Sequence, residues 1–121
     1  MECGAVRVAG IGFRGAATVD DLAEALALAG AADALATDRR KAGAAVMLAL
    51  AARTGLAVRA VDVSGTATPT ASARVTEAFG TGSVAEAAAL VAAGRNARLV
   101  VGRVVAPNGM ATAAIAEGDG A

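Results

Sequence analysis

The stretch Ala5-Val6-Arg7-Val8-Ala9-Gly10-Ile11-Gly12-Phe13-Arg14-Gly15 and the segment that follows it, Thr18-Val19-Asp20-Asp21-Leu22, decide the fold class. Val6 and Val8 alternate with shorter or polar neighbours, so Ala5 to Gly10 reads as a strand. Gly10-Ile11-Gly12-Phe13-Arg14-Gly15 then reads as a glycine loop. Thr18 suits an N-cap, and Asp20 and Asp21 fall in the first turn, where the helix dipole favours negative charge. Val19, Leu22, Leu26 and Ala29 share one helical face, with Asp20, Asp21 and Glu24 pointing away from it. Gly30 is placed to end that helix. The opening is strand, glycine loop, amphipathic helix.

The same reading extends along the chain. Asp33 to Thr37 is a short second strand, Asp38 to Thr54 a second helix closed by Gly55, and Leu56 to Val63 a third strand. Ser64 to Thr70 turns to Ser, Gly, Thr and Pro, which marks a loop. Ser72 caps a short helix reaching Phe79. Gly80-Thr81-Gly82-Ser83-Val84-Ala85-Glu86 puts Ser83 at an N-cap and Glu86 three positions on, a capping box opening a helix that ends at Gly94. Leu99 to Val105, the turn Pro107-Asn108-Gly109, and Met110 to Ala116 form a terminal hairpin. Strands alternating with helices, then a hairpin, predict a single three-layer α/β/α domain over residues 1–121, with a mixed sheet of about five strands.

Composition sets limits on both core and chemistry. Of 121 residues, 37 are alanine and only 30 are Val, Leu, Ile, Met or Phe. The core must therefore be fine-grained, with helices lying close on small side chains. Eleven basic residues balance eleven acidic ones, so no overall field draws the chain to nucleic acid or to anionic lipid. There is no histidine and one cysteine, Cys3. A structural zinc site and histidine-relayed catalysis are excluded, and neither a metal nor a cofactor is expected. No disulfide can form within the chain, which suits a cytoplasmic location. Met1 to Gly12 lacks the basic and apolar regions of a signal peptide, and the longest apolar run, Ala42 to Ala52, is too short to span a bilayer.

Several residues are candidates for chemistry. Gly10, Gly12 and Gly15 satisfy G-x-G-x-x-G between a strand and a helix, with Asp33 or Asp38 near the acidic position of a dinucleotide fingerprint. Such glycines bring backbone close to an anion, or simply make a tight turn. The chain is too short for the second half of a dinucleotide site. Arg14 beside helix N–H groups suits a carboxylate or phosphate, unless it is a solvated surface residue. Ser83 and Glu86 carry a nucleophile and a base, but the capping box accounts for both. Thr112 lies among alanines on the last strand.

These residues also follow one another in a familiar order. Gly10-Ile11-Gly12-x-Arg14, Lys41, Ser72-x-x-Val75, Gly82-Ser83-Val84-Ala85-Glu86-Ala87-Ala88-Ala89-Leu90 with Ala93-Gly94, and Ala111-Thr112-Ala113-Ala114-Ile115-Ala116 together resemble the CobE family of cobalamin biosynthesis. That family is similar to the C-terminal domain of CbiG, the cobalt-precorrin-5A hydrolase. The resemblance implies an α/β domain that binds or acts on a precorrin or other corrinoid intermediate, alongside other enzymes of the cobalamin pathway. It implies substrate binding by Gly10, Gly12, Arg14, Lys41, Ser83 and Thr112, with Glu86 as the carboxylate placed to act as a catalytic base. Phe13 stands where the family usually has Cys, Gly43 and Ala44 where an acidic residue is common, and Arg103 where Lys is frequent. What survives these departures is anion recognition. Either lactone-opening hydrolysis or non-catalytic carriage of the corrinoid fits the resemblance.

The capping box makes one expectation independent of any ligand. Ser83→Ala should lower stability by about 1 kcal/mol through the lost helix cap, read from urea denaturation. Unchanged stability with lost corrinoid binding would instead make Ser83 a ligand contact.

Overall fold

The computed structural model describes residues 6–63 and 84–120. The Ser64–Thr70 loop, the Ser72 helix and the Ser83 cap lie outside these residues, as does Ala5. Five strands form one sheet: β1 (Val6–Phe13), β2 (Ala34–Asp38), β3 (Val58–Val61), β4 (Arg98–Val105) and β5 (Ala111–Gly118). Three helices are described: α1 (Val19–Ala29), α2 (Ala45–Thr54) and α3 (Val84–Ala93). The strand order is β3-β2-β1-β5-β4. β1, β2 and β3 pair in parallel, while β5 runs antiparallel to both β1 and β4. The sheet is therefore mixed, with the terminal hairpin supplying its one reversed strand.

Alternation along β1 sends side chains into two different cores. Ala9, Ile11 and Phe13 face a cluster built with Leu22 and Ala25 of α1 and Met47 and Leu50 of α2. Val8 faces the other side, where Ala87, Ala88, Ala89, Ala92 and Ala93 of α3 pack with Ala36 and Ala116. This is the expected three-layer arrangement. The layers differ in texture, because one is filled by Ile, Leu and Met and the other almost wholly by alanine. No described helix is long and apolar enough to cross a membrane.

The alanine layer works because the sheet has no side chains beneath it at key points. A Cβ on Gly10 would lie 1.9 Å from the Ala85 carbonyl oxygen and 2.7 Å from the Ala89 nitrogen. A Cβ on Gly118 would lie 2.4 Å from the Ala93 carbonyl oxygen. α3 thus rests on bare strand backbone. Buried alanine removes little apolar surface from water, so this layer gains its cohesion from dense backbone contact.

Several boundaries differ from the sequence reading. β1 does not stop at Gly10 but runs to Phe13, pairing Gly10 with Ala114, Gly12 with Thr112 and Phe13 with Ala111. The expected loop is thereby reduced to the short connection 14–18. Glycine looked like a turn signal; here it is a strand residue made bare for a helix. α2 begins at Ala45, not Asp38. Residues 39–43 form turns instead, because the Asp38 carboxylate accepts from the Arg40 backbone N–H at 3.0 Å and Lys41 N–H donates to the Asp38 carbonyl at 2.8 Å. That local bonding competes with helix formation. β3 is shorter than expected, and β5 continues past Ala116 to Gly118.

Asp21 was expected to point away from the core, yet it is buried. The Thr18 hydroxyl accepts from Asp21 N–H at 3.3 Å, and the Asp21 carboxylate accepts from Thr18 N–H at 2.9 Å, a reciprocal capping box. Its second oxygen accepts from the Asn108 amide at 2.7 Å, which ties α1 to the β4–β5 turn. The Thr18 backbone bond, followed by the Asn108 bond, holds the Asp21 carboxyl below its ordinary value of 3.8, against the opposite pull of burial.

A carboxylate with a depressed pKa contributes stability above its unfolded-state value and loses it as pH falls through the folded value. Asp21→Asn should therefore unfold at lower urea than the wild type near neutral pH. The gap should begin to close as pH falls below about 3.8 and vanish below the lower folded value, where both chains carry a neutral group. A gap that stays constant down to about pH 2 would show that charge at this position is irrelevant.

Candidate functional site

Parallel strands place their carboxyl ends together. Phe13 ends β1, Asp38 ends β2 and Val61 ends β3, and the β4–β5 turn lies at the same end beside the start of β5. Open α/β sheets bind ligands in the crevice outside these ends. Four of the residues singled out from sequence come to this end: Gly12, Arg14, Lys41 and Thr112.

Their positions follow from backbone contacts. Arg14 N–H donates to the Met110 carbonyl at 2.9 Å, which pins the exit of β1 to the start of β5. The exposed Arg14 side chain donates through Nε to the Gly109 carbonyl at 3.3 Å, so its guanidinium lies toward the β4–β5 turn. The Thr112 hydroxyl lies over β1, 3.4 Å from the Gly12 carbonyl that accepts from it. A Cβ on Gly12 would be 2.7 Å from that hydroxyl and 3.7 Å from the Ala85 nitrogen, in the first turn of α3. Gly12 and Thr112 therefore mark where the α3 N-terminus meets the sheet.

Lys41 reaches the same end from the turn after β2. Its Nζ donates to the Phe13 carbonyl and sits 4.8 Å from the centre of the Phe13 ring. Burial is the larger influence on this ammonium and pushes its pKa below the ordinary 10.5, with Asp38 pulling the other way. The Asp38 carboxylate is itself committed, accepting from the backbone N–H and Nε of Arg40, each at 3.0 Å. Among the described residues Lys41 forms no ion pair. Arg14 and Lys41 thus share one end of the sheet but lean toward different neighbours, Arg14 to β5 and Lys41 to β2.

The other two described candidates sit deeper. Gly10 lies under α3 in mid-strand. Glu86 is fully buried on α3, and its Oε2 accepts from the Arg103 backbone N–H at 3.0 Å. That bond falls where β4 carries an extra residue between its pairings Val101–Ile115 and Val104–Ala113. An N–H displaced by such a bulge needs an acceptor, and Glu86 supplies it. Ser83 lies outside the described residues. No group of three potential metal ligands occurs among the described residues.

Sequence reasoning gave Phe13 and Asn108 no site role and weighed Asp38 only as the acid of a dinucleotide fingerprint and as part of a charged helix start. Phe13 left a usable signal, being one of two aromatic residues in the chain and lying directly before Arg14. Asp38 and Asn108 left none, because their partners are distant or depend on the turn conformation.

Comparison with known proteins shows which family the chain resembles in sequence and fold. The family model "Cobalamin synthesis G C-terminus" matches residues 7–116. The crystal structure of CobE, a protein from the cobalamin (vitamin B12) biosynthetic pathway, superposes with a TM-score of 0.75 at 26% identity, covering 97% of this chain and 94% of that one. The cobalamin biosynthesis protein chiG from Agrobacterium tumefaciens str. C58 superposes with a TM-score of 0.71 at 35% identity, covering 93% of this chain and 98% of that one. No curated protein matches the chain. With the family model spanning nearly the whole chain and the same architecture in both relatives, this protein belongs to the family of the cobalamin synthesis G C-terminal domain, the CobE/CbiG type of cobalamin biosynthesis protein.

Proposed function

We propose that the protein binds a corrinoid or precorrin intermediate of cobalamin biosynthesis at the carboxyl ends of β1 and β2. The observation that carries this reading is that Arg14 and Lys41 stand at the same end of the sheet as Gly12 and Thr112, the latter two beside the first turn of α3. Corrin precursors carry acetate and propionate side chains around a large apolar ring. Arg14 offers a guanidinium with spare donors, and Lys41 an ammonium without a carboxylate partner among the described residues.

Binding is favoured over lactone hydrolysis by the placement of Glu86. A general base must reach the water or group whose proton it takes. Glu86 is fully buried and serves the β4 bulge. In this reading the protein works in the cytoplasm, presenting its corrinoid to other enzymes of the pathway.

Arg14→Ala and Lys41→Ala should each weaken binding of hydrogenobyrinic acid by about 1.5–3 kcal/mol, the range for charge-assisted hydrogen bonds, with the urea midpoint little changed. Part of the loss should disappear at high salt, because Arg14 is exposed and Lys41 half-buried. Titration followed by the visible absorption bands measures this directly. Wild-type affinity in both variants would make these cations ordinary surface charges and would overturn the assignment.

A further inference from the structure

We propose that Phe13 is a positioning residue for Lys41, holding its ammonium in place without neutralising it. This rests on the reading of Lys41 as an anion contact.

The argument begins with the side chain itself. A lysine ammonium stands on a flexible four-carbon stem, and fixing it costs conformational entropy. The usual way to fix it is a carboxylate, but an ion pair would consume the charge that a ligand needs. At this site the two partners are both neutral and come from one residue. The Phe13 backbone carbonyl accepts from Nζ, and the Phe13 ring lies 4.8 Å from it.

Phe13 is itself well fixed. It pairs with Ala111 in the β1–β5 ladder, and its ring packs against the core between the sheet and α1 and α2. The acid nearest in sequence, Asp38, is occupied by Arg40 through two bonds of 3.0 Å. The face of an aromatic ring attracts a cation through its quadrupole and carries no net charge. Lys41 is therefore held without an ion pair to any described carboxylate. The lowered pKa produced by burial agrees with an ammonium that has given up part of its hydration and gains from meeting an anion.

The carbonyl contact does not depend on the side chain at position 13, whereas the ring contact is lost without an aromatic residue there. Phe13→Leu keeps an apolar side chain against the core, and Phe13→Tyr keeps the ring. With hydrogenobyrinic acid as the probe, Phe13→Leu should weaken binding by roughly two- to fivefold, the equivalent of an exposed cation–π contact. Phe13→Tyr should bind within about twofold of the wild type, because the ring remains. In a Lys41→Ala background Phe13→Leu should have no further effect, since a positioning residue acts only through what it positions.

The double-mutant cycle separates the two claims. If Lys41→Ala weakens binding and Phe13→Leu does not, Lys41 contacts the ligand but Phe13 does not position it. If Phe13→Leu weakens binding equally with and without Lys41, Phe13 touches the ligand or shapes the site independently, which also overturns the inference. If Lys41→Ala binds as the wild type does, the anion reading of Lys41 falls and the role of Phe13 falls with it.

Discussion

The seating of α3 on bare strand backbone is the contact on which the rest of the molecule depends. Gly10 and Gly118 lie under Ala85, Ala89 and Ala93, and neither glycine has room for a methyl group. A helix whose buried residues are alanine apart from Glu86 cannot hold its place by interlocking large apolar side chains. It holds by proximity, and proximity requires bare peptide at the two closest approaches, Gly10 and Gly118. Elsewhere the strands meet the helix with Val8, Ala36 and Ala116, so small residues predominate on both sides of the interface.

That seating also arranges the sheet end. With α3 held against β1 and β5, its first turn arrives beside Gly12 and Thr112. On the opposite face the larger side chains of α1 and α2 pack under Phe13 and leave its ring as a support for Lys41. The exit of β1 is fixed by Arg14 to Met110, and the β4–β5 turn is fixed to α1 through Asn108 and Asp21. Two cations therefore stand on rigid supports at the carboxyl ends of the strands. Glu86, buried at the β4 bulge, contributes to the scaffold from the same helix that frames the site.

Much of this was legible in the residues alone. The three-layer class followed from strands alternating with helices before a hairpin, and the capping pattern at Thr18 located α1. Gly10 and Gly12 misled because glycine punctuates loops and also admits close packing, and only the position of α3 distinguishes the two. The start of α2 was misplaced because Asp38, Arg40 and Lys41 read as a charged helix opening, while Asp38 instead accepts from the N–H groups of Arg40 and Lys41 and closes a turn. Asp21 was taken as solvated because its second partner, Asn108, is 87 residues away. Arg14 was singled out by its place in the glycine loop, and Lys41 and Thr112 through family resemblance, but the support given by Phe13 depends on a turn that no periodicity reveals.

The central claim is tested most directly by adding one methyl group at each of two glycines. Gly10→Ala and Gly15→Ala are compared by urea denaturation, Gly15 having nothing within 4 Å of an added Cβ. The account predicts that Gly10→Ala loses about 3 kcal/mol or more, or fails to fold, because backbone on both sides of the contact must move. Gly15→Ala should stay within about 0.5 kcal/mol of the wild type, as exposed substitutions do. Equal and small effects at the two positions would mean that α3 does not rest on bare β1, and the account would fail.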